Sequence, residues 1–325
     1  MIKQLQKSNQ ILCTSRNYRE VTHLAKLRKM KIALIGKHGG QSKIDKLNAS
    51  LSRMTALARQ IQKFKPDLTI SFCSPEAARI SFGLGIRHIA FCDSPHAEAV
   101  MRLSVPLIQK LLIPWIIPKN EFTKYGIDVK NIIPYKAIDA SVIVKNTSSK
   151  KTGLRQKGSK KNILIRVEEA QAAYVQKKQS QILPIIKEIA KRFPNESVLV
   201  LPRYRSQIVM LRQTLGSRVK ILGKVVVGKT LLQNTDVFVG SGGTMTAEAA
   251  LLGIPTISYD AVPNLVQDYL VRKKLVIRES NPKKIVSIIE KMLRGDNKYL
   301  RANAKKTLAS MEDPLKKLIY AIKMR

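Results

Sequence analysis

Short apolar runs alternate along the chain with longer stretches in which apolar residues recur every three or four positions. The short runs are typical of buried strands, and the longer stretches are typical of amphipathic helices. The predicted strands of the first half are ILCT, KIALIG, DLTISF, RHIAF and PWIIP. Predicted helices between them include Leu47–Phe64 and Pro75–Gly83. Such alternation of β and α elements predicts parallel sheets.

A polar and basic segment, KNTSSKKTGLRQKGSKK, separates this series from a second one. We interpret 146–161 as a linker between an N-terminal domain, 1–145, and a C-terminal domain, 162–325. The second series has predicted strands NILIRV, SVLVLP, VKIL, DVFVG, PTISY and KLVIR, and predicted helices at 179–192, 230–234, 244–252 and 282–293. The predicted fold class is α/β, with two Rossmann-like domains. Because ligands of open α/β sheets bind outside the carboxyl ends of strands, we expect the domains to face a shared cleft.

The composition shows a large excess of positive charge and no membrane-spanning segment. The chain has no apolar run of the about 18 residues that a membrane span needs and no secretory signal at its start, so we expect a cytoplasmic protein. Its formal net charge of +37 is far above the magnitude of about 2 to 8 that is usual for a small domain. The excess is spread over both halves. It leaves three explanations: a solvated basic surface, attraction to nucleic acid, and peripheral association with an anionic membrane.

The stretch VGSGGTMTAEAALLGIPTIS, Val239–Ser258, places a loop with almost no side chains between an apolar strand and an Ala-rich helix. Free N–H groups at such a helix start, together with the helix dipole, bind anions. We therefore predict that Ser241, Gly242, Gly243 and Thr244 bind a diphosphate. Glu248 lies one turn further along the same helix face, within reach of a ribose hydroxyl. The alternative is an ordinary tight turn with a capping Ser or Thr.

Charged residues follow two other predicted strands of the second half. Arg166 and Glu168 come after the first strand, and Arg203 comes after the next. We predict that all three contribute to binding the same ligand as the Gly-rich loop, with the planar guanidinium of Arg203 pairing with a phosphate oxygen. For Arg203 the alternative is a surface salt bridge beside Arg205.

The first half contains candidates for acid and base chemistry. Asp93 and His96, after the strand RHIAF, are candidates for a general base that deprotonates a substrate hydroxyl. The alternative for Asp93 is to cap the next helix. Glu76 and His38 are further catalytic candidates. Ser74 is a candidate binding residue, although Ser-Pro at a helix start first indicates an N-cap.

Metal ligands are not evident in the sequence. It contains no D-x-D, and its three cysteines, Cys13, Cys73 and Cys92, lack C-x-x-C spacing. We therefore expect reduced, packed cysteines, no bound metal and a mechanism in which a helix start and arginines stabilise the leaving group.

Several motifs carry a family resemblance. GGTMTAEAALLGIPTIS resembles the nucleotide-binding segment of GT-B glycosyltransferases and UDP-N-acetylglucosamine 2-epimerases. With KHGG, SPEAARISFGLGIRHIAFCDSPHA, IRVEEAQAAY and LPRYRSQ in the same order, the chain is identified as a member of the family called domain of unknown function 354. The resemblance implies a UDP-sugar as substrate, no cofactor, and metal-independent glycosyl transfer. The alternatives are 2-epimerisation and a non-catalytic basic protein that binds nucleic acid or a membrane surface.

The N-terminus departs from this resemblance. Members of the superfamily open with a central strand and a small-residue loop, whereas MIKQLQKSNQ is similar to the end of the helix that follows them. We therefore expect the first sheet to lack its first strand, which would leave neighbouring strands unpaired. The apolar segment Val105–Pro118 is predicted to be a core helix and strand, with contact to a membrane surface as the alternative.

Overall fold

The computed structural model describes residues 1–17, 19–27, 29–37, 39–40, 42–145, 160–169, 182–223, 228–259 and 264–324. The strands are β1 Thr14–Ser15, β2 Ala33–Leu34, β3 Leu68–Ser71, β4 Arg87–Phe91, β5 Lys110–Pro114, β6 Ile132–Tyr135, β7 Asn162–Arg166, β8 Ser197–Leu201, β9 Lys220–Ile221, β10 Val237–Gly240, β11 Thr256–Ser258 and β12 Ile277–Arg278. The helices are α1 Ile2–Leu5, α2 Arg19–Leu27, α3 Lys43–Phe64, α4 Pro75–Gly83, α5 Glu98–Ser104, α6 Asn120–Thr123, α7 Asp139–Lys145, α8 Ile182–Arg192, α9 Arg205–Leu215, α10 Gly228–Gln233, α11 Thr244–Leu251, α12 Leu265–Arg272, α13 Pro282–Arg294, α14 Lys298–Ala309 and α15 Pro314–Lys323.

The chain forms two compact units. The first contains the described residues of 1–135 and 313–324, and the second contains those of 136–312. This division differs from the predicted boundary at residue 145. Helix α7 packs against α11 and so belongs to the second unit, whereas α15 packs against β5 and β6 of the first. Most of the predicted linker, 146–159, lies outside the described residues.

Parallel strands build the first unit. Strands β3, β4, β5 and β6 form one sheet in chain order, and β1 pairs with β2 in a separate parallel sheet. No pairing between β1 and β3 occurs among the described residues. The missing first strand stays a prediction. Arg87, at the start of β4, donates from Nη1 to the carbonyl of Ile322 at 2.7 Å and so fastens α15 to this sheet.

Residues 105–118 contribute core side chains to the first unit, as predicted, but they form no α-helix. Val105–Leu107 forms one 3-10 turn, and β5 follows it. Val105, Leu111 and Ile113 are fully buried. The predicted strand PWIIP at 114–118 was wrong, because the strand ends at Pro114 and a turn follows. Strand β6, which contains Pro134, was not predicted.

The second unit is a doubly wound sheet with strand order β9-β8-β7-β10-β11-β12, all parallel. Its strands bury side chains on both faces. Ile163 and Ile165 pack with Ile185 of α8 and Ile289 of α13, while Leu164 belongs to a cluster that includes α10 and α11 residues. Each such aliphatic side chain contributes about 1.5–3 kcal/mol through burial. The predicted α/β class with Rossmann-like halves is confirmed. No helix in the described part of the chain has the length and apolar character to span a membrane.

His88 in β4 gives the first unit a testable acid sensitivity. Its side chain is fully buried, Nε2 lies 2.9 Å from Ser71 Oγ, and Nδ1 has no hydrogen-bond partner among the described residues. Burial lowers its pKa from 6.5 to about 4, because a charged imidazole would lose its hydration.

We therefore expect a loss of stability on mild acidification. Above pH 6.5 His88 is neutral in both the native and the unfolded state, so its contribution to the free energy of unfolding is fully present. Between pH 6.5 and about 4 the unfolded state binds a proton that the native state does not, and the free energy of unfolding falls by up to about 3 kcal/mol. Urea unfolding of wild type and His88→Gln from pH 7 to pH 4 checks this. If the free energy of unfolding of His88→Gln falls as steeply with decreasing pH as that of wild type, the expectation is contradicted.

Candidate functional site

The strand order of the second unit creates a switch point between β7 and β10. From β7 the chain continues to β8 and β9 on one side, and from β10 it continues to β11 and β12 on the other. The loops that leave the carboxyl ends of these two strands therefore diverge, which opens the crevice where doubly wound sheets bind ligands. Residues 167–169 follow β7, and residues 241–243 follow β10. The predicted diphosphate loop thus lies at the switch point.

Close packing requires glycine at two positions here, Gly240 at the end of β10 and Gly242 in the loop. A Cβ on Gly240 would lie 2.5 Å from Thr246 Oγ1 and from the Phe238 ring. Gly242 has a φ of +93°, and a Cβ there would lie 1.9 Å from Gln267 Oε1. Gly242 also donates its N–H to Thr246 Oγ1 at 3.2 Å. The inner side of the loop is therefore fixed against α11 and α12.

Gly243 and Thr244 form the outer side of the loop, and both are exposed. Gly243 is the N-cap of α11, and no side chain caps this helix. Neither Ser241 nor Thr244 therefore has the capping role considered as the alternative. A Cβ on Gly243 would lie 3.9 Å from Arg203 Nη2. The uncapped helix start and a guanidinium thus adjoin, and together they favour an anion.

Arg203 is held in place by the loop after β7. Its Nη1 lies 3.5 Å from Glu169 Oε2, and the hydroxyl of Tyr204 donates to Glu169. Gln207 Oε1 accepts from the Arg203 N–H at 2.8 Å, and its Nε2 donates to the Glu168 carbonyl at 3.1 Å. The Nε of Arg203 is buried and has no hydrogen-bond partner in the described part of the chain. Gln207 thus fixes the backbone of Arg203, and Glu169 orients a guanidinium that keeps unused donor capacity.

Tyr259, just after β11, forms hydrogen bonds with both Glu168 and Ser241. The Tyr259 hydroxyl lies 2.7 Å from Glu168 Oε2 and 3.2 Å from the Arg166 carbonyl. Burial raises the pKa of Tyr259 well above 10 and the nearby Glu168 charge adds to this, while a hydrogen bond with Ser241 and the charge of Arg203 oppose it. The phenol is therefore a permanent donor, and it links three loops of the switch point.

The other binding candidates of this unit have different surroundings. Arg166 Nη1 donates to the carbonyls of Leu201 and Pro202, at 3.2 and 2.9 Å, so it supports the loop that carries Arg203. Glu248 is half-buried on α11, one turn after Thr244. Its contact with a ribose stays a prediction.

In the first unit, Glu76 and Ser74 form a closed network. Glu76 is 2% exposed, pairs with Arg16, and accepts from Ser50 Oγ at 3.1 Å and from Ser74 Oγ at 3.0 Å. Burial raises its pKa, but the charge and hydrogen bonds of Arg16 outweigh burial and lower it overall. Ser74 also caps α4 by accepting from the Ala77 N–H. These contacts favour structural roles for both residues over the predicted catalytic and binding roles.

Asp93 and His96 lie in the loop after β4. Asp93 accepts from Ser94 Oγ at 2.7 Å. It does not cap α5, because the N-cap is Ala97. Desolvation lowers the pKa of the exposed His96, and the Asp93 carboxylate opposes that shift. Both remain candidates for a general base. His38 lies outside the described residues.

Several residues of the switch-point site were not predicted. They include Glu169, Tyr204, Gln207, Tyr259, Asn264 and Gln267. Asn264 caps α12 and donates from Nδ2 to the Gly242 carbonyl at 3.1 Å, while Gln267 Oε1 accepts from Ser258 Oγ at 2.6 Å. The signal for Asn264 was a capping residue before an apolar helix. Tyr259 is the last residue of the predicted strand PTISY, and nothing local to it distinguishes it from a core tyrosine.

Comparisons with known proteins find matches over most of the chain. The family model described as "Protein of unknown function (DUF354)" matches residues 1–323. The uncharacterized protein MJ0665 of Methanocaldococcus jannaschii is 30% identical over 302 residues, which covers 89% of this chain and 86% of that protein.

Solved structures share the fold at low identity. The UDP-GlcNAc 2-epimerase of Neisseria meningitidis, solved bound to UDP-GlcNAc, has a TM-score of 0.73 at 18% identity, covering 100% of this chain and 95% of that chain. The glycotransferase of kitacinnamycin has a TM-score of 0.58 at 14% identity, covering 95% and 91%. These likenesses establish a fold shared with GT-B epimerases and glycosyltransferases.

Proposed function

The chain belongs to the DUF354 family, and from this premise we propose that it binds a UDP-sugar and transfers the sugar to an acceptor without a metal ion. The observation that carries the proposal is the uncapped start of α11 beside Arg203 Nη2, at the switch point of the sheet. Phosphate recognition needs backbone donors and a cation at one place. The UDP-GlcNAc in the similar Neisseria structure supports the choice of nucleotide.

Transfer of a sugar releases a nucleoside diphosphate, whose charge increases as the glycosidic bond breaks. The N–H groups at the start of α11 and the Arg203 guanidinium would stabilise that charge, in the place of a divalent cation. Tyr259 and Glu169 would act indirectly, by fixing Ser241 and Arg203. Asp93 and His96 of the first unit are our candidates for the base that deprotonates the acceptor.

Epimerisation at C2 is the second candidate. It is favoured by the higher TM-score to a UDP-GlcNAc 2-epimerase, 0.73 against 0.58 for the glycotransferase. The two reactions differ in their need for a second substrate. Turnover of UDP-GlcNAc to a C2 epimer without an acceptor would select epimerisation, and acceptor-dependent release of UDP would select transfer.

The binding step is tested separately through Arg203. In Arg203→Lys a point charge replaces the planar fork, so we expect UDP to bind about 10- to 100-fold more weakly, since hydrogen bonds to charged groups contribute about 1.5–3 kcal/mol. Isothermal titration calorimetry with UDP measures this. The matched control is Arg205→Lys, an exposed arginine two residues further on. Equal affinities for Arg203→Lys and wild type would remove Arg203 from the site.

A further inference from the structure

Helix α3 carries an apolar stripe with a regular spacing. The stripe consists of Ile44, Leu47, Leu51, Met54, Ala58 and Ile61. Its steps alternate between three and four residues, so all six positions lie on one side of the helix. This is the spacing that paired helices use for their contact seam. We call these six residues the α3 seam.

The seam is a second apolar face of a helix that is already packed. Arg53 and Leu57 are the buried residues of α3, and Ser50 donates to Glu76. The seam lies directly beside this buried side of the helix, and its first half faces the solvent. Its first three members, Ile44, Leu47 and Leu51, are 60%, 55% and 48% exposed. Met54, Ala58 and Ile61 are half-buried. Three neighbouring large aliphatic side chains of one helix are therefore left in contact with water, which marks an interaction surface.

The charges of the residues that border the seam indicate whether an anionic membrane or another protein would fit it. On the solvent side the seam is flanked by Asn48, Thr55 and Gln62, which are all uncharged. The flanking positions on the other side are Lys43, Ser50, Leu57 and Phe64. Surfaces that bind anionic membranes place Lys and Arg along the polar border of the apolar stripe, and here one lysine at the first turn is the sole cation in those positions. Although the whole chain has a net charge of +37, these bordering positions add little repulsion of their own when two α3 helices approach each other.

We propose that the α3 seam pairs with the α3 seam of a second copy of this chain, across a two-fold axis. Self-pairing satisfies the spacing, because each seam supplies the apolar knobs and the holes that the other needs. At 1.5 Å per residue the seam is about 27 Å long. Its area alone is below the about 800 Å² per partner of a standard interface, so the dimer is expected to dissociate on dilution.

Sedimentation velocity of the full chain across a wide concentration range tests the proposal. Wild type is expected to move from monomer to dimer with increasing concentration. Leu47→Glu/Leu51→Glu should weaken the dimer at least about a hundredfold, because like charges would be buried against their copies. The matched control is Val209→Glu, which alters an equally exposed apolar residue on α9 of the second unit and should dimerise as wild type does.

A mixing experiment separates pairing from misfolding. Leu47→Glu/Leu51→Glu and Leu47→Lys/Leu51→Lys should each be monomeric alone and should form a heterodimer when mixed. Circular dichroism and stabilisation by UDP report whether each variant is folded.

Three results would overturn the proposal. The first is a wild-type protein that stays monomeric at all concentrations. The second is a dimer that is unaffected by the seam substitutions. The third is a Leu47→Glu/Leu51→Glu variant that sediments with the same mass as wild type but no longer binds phosphatidylglycerol vesicles. The last result would identify a membrane as the occupant of the seam.

Discussion

Replacing Gly243 with aspartate is expected to leave the free protein at least as stable as wild type and to abolish its stabilisation by UDP. Gly243 is the N-cap of α11, its backbone is extended, with φ −82° and ψ −169°, and no side chain caps the helix. Aspartate is among the best N-cap residues, so its carboxylate should bond the free N–H groups and add a few tenths of a kcal/mol. The same carboxylate would occupy the proposed position of a phosphate and repel it.

Thermal unfolding with and without UDP measures both effects in one experiment. At a UDP concentration about 100 times the Kd, wild type should gain about 2.7 kcal/mol, and Gly243→Asp should gain nothing. The near-isosteric control, Gly243→Asn, adds a cap without a charge and should keep part of the shift. An undiminished UDP shift in Gly243→Asp would place the ligand elsewhere. A large loss of stability without UDP would show that the loop is needed for folding.

Replacing the neighbouring Gly242 with alanine is expected to have the opposite outcome, a loss of stability of about 2–6 kcal/mol. A Cβ at φ +93° is strained, at a cost of about 1–3 kcal/mol, and it would lie 1.9 Å from Gln267 Oε1. Gln267 is 1% exposed and accepts from Ser258, so moving its side chain away would break a buried hydrogen bond. Overpacking of such a site costs about another 1–3 kcal/mol.

Urea unfolding followed by circular dichroism checks this value against Gly243→Ala, where a Cβ meets no atom closer than 3.9 Å. Gly243→Ala should change the free energy of unfolding by less than about 1 kcal/mol. Adding Gln267→Ala to Gly242→Ala should recover part of the loss, since the clash is removed while the backbone strain stays. If Gly242→Ala costs no more than Gly243→Ala, the loop is not packed as described.

Elements whose residues carry a regular local pattern were predictable from the sequence. Strand β4 and helix α4 begin and end where they were predicted, because each has a clear period and α4 also has a Ser-Pro start. The strand at 110–114 was misplaced because 105–118 is apolar throughout, so periodicity does not mark where its strand ends. The unit boundary and the position of α15 depend on contacts between distant segments, such as Arg87 with Ile322, which no local pattern encodes.

The site was predictable where its residues directly follow strands. Arg203, Glu168 and Ser241 were assigned to one sheet edge from their places after apolar runs, and the structure brings them together. Glu169, Tyr259 and Gln267 act by orienting other residues, and their partners are set by the pairing of β7 with β8 and of β10 with β11. The structural network around Glu76 was likewise not predictable, since Arg16 and Ser50 reach it from distant elements.

Hydrogen–deuterium exchange of the full chain with and without UDP reports where the ligand binds. We expect slower exchange of the amides of residues 242–246, at the start of α11, and of residues 203–204 after β8. Exchange in α13 and α14 should be unchanged. Protection confined to other parts of the chain, or no protection at a UDP concentration that raises the melting temperature, would contradict a nucleotide site at this switch point.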